Sequence, residues 1–183
     1  MRASWKACRG WMWVAGLCAS FEALAFSPWL IPASFPQPGD IYLSGGFLFS
    51  GTGRPGGAAI GLGAELSLHA FFKAEPIAGV GIFGQWQSIN GEHHRLCAGV
   101  QATTLFLGAE LGVAHDRAGA EGAATTSLHL QPFLSLGLLS VGLRIGIPVA
   151  TAPGDKPGYG SDIGLVLSLK LPVPLRKSFD EEG

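Results

Sequence analysis

The stretch "AAIGLGAELSLHAFF", residues 58 to 72, decides how this chain is read. Ile60, Leu62, Ala64, Leu66, Leu68 and Ala70 fall on one side of it, and Gly61, Gly63, Glu65, Ser67 and His69 on the other. That is the period of two of a β-strand. The question is which side faces water, because a soluble sheet hides its apolar face whereas a membrane barrel turns that face to lipid.

Composition narrows the choices. Charged residues are 14% of the 183, well below the roughly 25% of ordinary soluble domains. Glycine reaches 28 residues, and the net charge of -1 gives no basis for a nucleic-acid partner. Arg2, Lys6 and Arg9 form a basic start, "WMWVAGLCASF" (11 to 21) an apolar run, and Ala23-Leu24-Ala25 a small-residue cleavage site before Phe26. This is the pattern of an export signal, and the apolar run is too short for a spanning helix. Cys8 and Cys18 lie within it, so a mature chain keeps only Cys97 and forms no internal disulfide. Leu17, directly before Cys18, is too bulky for a lipoprotein signal.

The expected organisation is a signal peptide at 1–25, a Pro-rich periplasmic lead-in at 26–40, a transmembrane barrel at 41–172 and a charged tail at 173–183. Eight alternating segments are expected, at 41–50, 58–72, 76–88, 94–102, 104–115, 125–138, 140–149 and 161–172. Their connections take turns. "KAEP" (73 to 76), "ATT" (102 to 104) and "LLS" (138 to 140) read as tight, while "GTGRPGG" (51 to 57), "SINGEHH" (88 to 94), "HDRAGAEGAA" (115 to 124) and "ATAPGDKPGYG" (150 to 160) read as longer loops. Alternating short and long connections suit an all-β, eight-stranded antiparallel up-and-down barrel with short turns at one end.

The less apolar face answers the question of wetness. It carries Gly46, Gly61, Gly63, Gly79, Gly81, Gly99, Gly108, Gly112, Gly137, Gly142, Gly146 and Gly164 rather than the Lys, Glu and Thr of a water-facing surface. Glycine concentrated on one strand face marks a place short of space, as the inside of an eight-stranded barrel is. The other face is an apolar belt, including Leu128, Leu130, Leu134 and Leu136, then Val141, Leu143, Ile145 and Ile147. Lipid or a second sheet must cover it. Trp86, Phe47, Phe49, Phe72 and Tyr159 are the candidates for interfacial positions.

The chain from Ile41 to Pro172 resembles small bacterial outer-membrane barrels of the OmpA/OmpX type. Asp162-Ile163-Gly164-Leu165-Val166-Leu167-Ser168-Leu169 is similar to the final-strand assembly signal of such proteins, with Asp162, Gly164, Leu167 and Leu169 as its key positions. The resemblance implies location in a Gram-negative outer membrane, outer-membrane lipid and the barrel-assembly machinery as partners, no cofactor, and an extracellular ligand, if any, of unknown kind.

By alternation, Glu65, Glu110, Arg95, Arg144, Lys170, His69 and His129 point into the lumen, with Gln85, Gln87, Gln101 and Gln131. Counting from the expected turns makes Arg95 and Glu110 a diagonal pair and sets Glu110, Arg144 and His69 at similar heights. The expected role is a paired network that fills the lumen, in preference to a proton or ion gate.

Two alternatives compete with a structural or surface-interaction role. One is an outer-membrane lipid-modifying enzyme, a lipid A acyl hydrolase or transferase. Lipid A deacylases resemble one another in a His-x-Ser pair, and no His here has Ser two residues on. His115-Asp116 would suit a protease-type barrel, but solvated loop residues are the plainer reading. The second alternative is a secreted lipocalin-like barrel holding an apolar ligand, which requires a hydrophilic exterior. His93-His94 lacks further ligands at metal spacing, and "SGTGRPGG" has no following Lys-Ser/Thr or helix for phosphate. Cys97 reads as inert lumen packing.

Overall fold

The computed structural model describes residues 36–72, 78–104 and 106–177. The signal segment, most of the Pro-rich lead-in, the expected turn at 73–76 and the last six residues of the tail lie outside them. The strands are β1 (Ile41–Arg54), β2 (Gly57–Phe72), β3 (Ala78–Ile89), β4 (His93–Thr104), β5 (Leu107–Asp116), β6 (Thr125–Leu136), β7 (Leu139–Thr151) and β8 (Asp162–Arg176). Each pairs antiparallel with the next, and β8 pairs with β1, closing the sheet into a barrel.

The pairing fixes the tilt. From Leu43 the partners run through Leu68, Ile82, Val100, Leu111, Leu130, Ile145 and Ile163, and return to β1 at Gly53, a stagger of ten residues. Such a stagger over eight strands tilts them by roughly 35–45° to the barrel axis. Every side chain on that path up to Gly53 is apolar, and all of them are on the outer face. The polar side is therefore the inside. Phe47 is 75% exposed and Leu136 67%, while Glu65, Arg95, Glu110, Asp116, Arg144 and Asp162 are buried.

Glycine makes this arrangement sterically possible. A Cβ added to Gly46, Gly63, Gly99, Gly112 or Gly164 would fall on backbone atoms of the neighbouring strand, and one added to Gly108 would fall on the Phe133 ring. Gly99 and Gly112 sit directly opposite each other on β4 and β5. Gly137 departs from the expected interior set. It lies in the turn between β6 and β7 with φ +67°, a left-handed conformation that favours glycine.

Two of the four expected long loops are hairpin turns. β1 and β2 meet through Pro55 and Gly56 alone, because the Gly- and Thr-rich residues before them keep pairing with β8, Gly51 with Leu165 and Thr52 with Gly164. Turn-forming composition is overruled where both neighbouring strands offer hydrogen bonds. β3 and β4 meet through residues 90–92, with Asn90 at φ +53° and Gly91 at +71°. Ile60 N donates to Asn90 Oδ1 at 2.8 Å, and Asn90 N donates to Ile60 O at 2.7 Å, so this tip is clasped to β2. The longer connections are 117–124 and 152–161.

Two strand ends also differ from expectation. Residues 102–104 belong to β4 and pair with β5, so the expected turn there is strand, and Phe106 lies in a turn before β5. At the other terminus, β8 runs past Pro172 to Arg176, alternating and paired with the start of β1.

The steric argument yields a contrast. Gly112→Val should lower stability by about 2 kcal/mol or more, as overpacking of a tight interior does, whereas Gly51→Val, whose added Cβ meets nothing within 4 Å, should change it by less than about 0.5 kcal/mol. Urea unfolding in detergent followed by tryptophan fluorescence reads both. Equal midpoints for the two variants would contradict the close approach of β4 and β5.

Candidate functional site: the lumen and its mouth

Inward side chains form two connected clusters. The lower one is organised by Glu65 on β2 and Glu110 on β5. Glu65 is ion-paired with Lys170 of β8. The two residues are separated in register only by Gly46, which has no side chain to come between them. Gln85 Nε2 donates to Glu65 Oε2 at 3.2 Å and to Glu110 Oε2 at 3.0 Å, and His129 Nε2 lies 3.3 Å from the same Glu110 oxygen. Lys170 Nζ is 3.8 Å from Glu110 Oε1.

Arg144 links this cluster upward through amides. Its Nη2 donates to Gln85 Oε1 at 3.4 Å and its Nη1 to Gln87 Oε1 at 2.9 Å, and Ser50 Oγ donates to the same Gln87 oxygen at 3.1 Å. No carboxylate among the described residues lies within ion-pair distance of Arg144, which is 1% exposed.

The upper cluster centres on Arg95. Its Nε donates to Asp116 Oδ1 at 2.9 Å and its Nη2 to Asp116 Oδ2 at 3.0 Å, a two-pronged pair across β4 and β5. Arg95 is also ion-paired with Asp162 at the start of β8. His93 Nε2 lies 3.1 Å from Asp116 Oδ1. This corrects the expected Arg95–Glu110 diagonal. With 102–104 paired as strand rather than turn, Arg95 stands opposite Asp116, and Glu110 stands opposite Gln101. Nor is there one layer of Glu110, Arg144 and His69. Gln85 bridges the first two, and His69 Nδ1 is 3.5 Å from Gln101 Nε2.

The two longer connections close over this cluster. Ala123 bridges Gly158 in parallel, Ala123 N donates to Pro157 O at 2.9 Å, and Lys156 Nζ donates to Gly119 O at 2.9 Å. Tyr159 is set into the mouth by its own N–H, which donates to Thr125 Oγ1 at 3.0 Å. Its ring stacks on His93 at 4.2 Å and lies under the Arg54 guanidinium at 4.9 Å. Burial pushes its phenol above the ordinary value, so it remains neutral at physiological pH. Tyr159 is thus a plug inside the mouth rather than an interfacial anchor. Phe47, Phe49, Phe72 and Trp86 are exposed on the outer face.

Alternation divides the paired motifs of the sequence. His93 and Asp116 point inward, while His94 and His115 point outward, so neither His93-His94 nor His115-Asp116 acts as a unit. Among the described residues no group of three His, Cys, Asp or Glu side chains is placed to hold a metal ion. Cys97 is buried in the lumen beside Phe83 and Ala114. Of the expected final-strand signal, Asp162 turns inward to Arg95 and Gly164 packs on Thr52, while Leu167 and Leu169 face outward opposite Phe49 and Phe47. The chain matches no family model, and no curated protein matches it either.

Chemically, this arrangement fills space and holds opposite charges together. Breaking a buried pair by removing one member costs about 3–5 kcal/mol, because the partner is left charged and unmatched. Asp116→Asn, which removes the two-pronged bond but leaves Arg95 its pair with Asp162, should lower stability by about 1.5–3 kcal/mol, while Glu121→Gln, whose exposed carboxylate lies 3.9 Å from Arg54, should cost under about 1 kcal/mol. Urea titration of the folded protein in detergent gives the comparison; equal losses would contradict the central role of the Arg95–Asp116 pair.

Proposed function

We propose that this chain is an exported outer-membrane β-barrel of a Gram-negative bacterium, with a plugged polar lumen and a structural or surface-interaction role. The observation that carries the reading is the inverted partition of side chains: a closed sheet with apolar residues outside and ion pairs within. A hydrocarbon environment accepts a β-sheet only when every backbone N–H and C=O is paired, and a closed barrel meets that condition. Strands of 10 to 16 residues meet or exceed the roughly 9–11 that a tilted strand needs to cross a bilayer.

Polar outward residues gather where a headgroup boundary would lie. Ser88, His94, His115 and Thr126 end the apolar runs of β3 to β6 on the side of the longer connections. The same apolar exterior disfavours the lipocalin-like alternative, which needs a wet outside and a greasy inside. The interlocked connections 117–124 and 152–161, rather than four long loops, form the surface available to an external ligand. Outer-membrane lipid and the barrel-assembly machinery are the partners this reading requires.

The mature chain, refolded from urea, should float with phosphatidylcholine vesicles on a density gradient and resist extraction by alkaline carbonate. Staying monodisperse in buffer without detergent would refute the reading. In planar bilayers the plugged lumen should pass no stable porin-like current; a steady open conductance would refute the plug.

A further inference from the structure

Gly84 on β3 is a strand glycine that the barrel itself does not require. Its side-chain position faces outward, and a Cβ added there meets nothing within 4 Å, unlike the crowded interior glycines. Glycine in a strand leaves the sheet surface open to close approach by a neighbour outside the chain. Gly84 pairs with Leu66 on one side and Ala98 on the other, and Ala64 lies close by on β2. Together these small residues floor an outward groove of about 600 Å³, walled by Leu66, Leu96 and Val113.

One end of the groove reaches Trp86 and His115, at the level where the apolar runs stop. His94 lies against the Trp86 ring at 5.5 Å, and His115 Nδ1 is 3.0 Å from Thr126 Oγ1. Arg117 joins them, held beside β4 by a 2.9 Å hydrogen bond from its N–H to His94 O. Its side chain is exposed and has no ion pair among the described residues. The period of two segregates charge here: Asp116 turns its carboxylate inward to Arg95, leaving His115 and Arg117 on the outside without it.

We infer that this face is a lipid-binding site, with an acyl chain in the Ala64–Gly84–Ala98 groove and an anionic phosphate headgroup at His94, His115 and Arg117. The inference rests on the membrane reading above. Guanidinium and imidazole donors complement phosphate oxygens, and the depression continuous with them suits a hydrocarbon chain. A second copy of the chain is the other occupant of such a groove, and its formation would show as dimers in the test below.

Native mass spectrometry of the full chain, refolded into vesicles and released from detergent, tests the site with phosphatidylglycerol and phosphatidylcholine of identical acyl chains. The wild type should retain phosphatidylglycerol at least about fivefold better, the order expected for one basic side chain at an anionic lipid surface. His94→Gln/His115→Gln/Arg117→Gln should abolish the preference, and Lys156→Gln, at the mouth, should preserve it. Gly84→Leu, which the fold has room for, should lower retention of both lipids. No preference in the wild type, a preference that survives the triple change, unaltered retention by Gly84→Leu, or dimers in place of lipid adducts would each overturn the site. A chain that never enters vesicles would refute the membrane reading as well; one that enters and shows no preference would refute the site alone.

Discussion

Closure of β8 onto β1 is the constraint from which the other features follow. It leaves the sheet without an edge, so the backbone hydrogen bonds between strands are satisfied around the ring. The ten-residue stagger that closure imposes sets the tilt and brings the inward faces of neighbouring strands together. Crowding then selects glycine at Gly46, Gly63, Gly99, Gly112 and Gly164. The gaps that glycine leaves let long charged side chains reach across strands, as Lys170 does past Gly46 to Glu65.

The lumen is organised to keep charge matched rather than to display it. Glu65, Glu110, Asp116 and Asp162 face Arg95 and Lys170, with Gln85 and Gln87 joining Arg144 to them through amide hydrogen bonds. A buried charge without a partner is costly, and Arg144, which meets no carboxylate, is held instead by the amide oxygens of Gln85 and Gln87. Above it, Tyr159 and the interlocked connections replace an open mouth with stacked rings and main-chain hydrogen bonds. The molecule presents an apolar flank, a polar shoulder at His94 and His115, and two interlocked loops.

Alternation was the legible signal because it is local. It located all eight strands and gave the inward phase of Glu65, Glu110, Arg95, Arg144 and Lys170. Register was not legible in the same way. Sliding β5 along β4 by any even number of residues leaves every side chain on its own face, so the apolar pattern cannot tell Glu110 from Asp116 as the partner of Arg95. Asp116 and His93 were nevertheless within reach, since each shares the inward phase of its strand. Tyr159 was not, because it follows a connection in which the period of two does not hold. Gly51 and Thr52 misled in the opposite sense, as turn-forming residues held in a strand by β8.

The account depends on the leucine-bearing flank touching hydrocarbon. Nitroxide labels placed singly at Leu66, Leu134 and Ile145, in chain refolded into vesicles, measure this through their accessibility to oxygen and to a water-soluble nickel reagent. High oxygen and low nickel accessibility at all three, as for a label within acyl chains, is the predicted result. Labels that report water, or the immobilised signature of a packed protein interior, would contradict it.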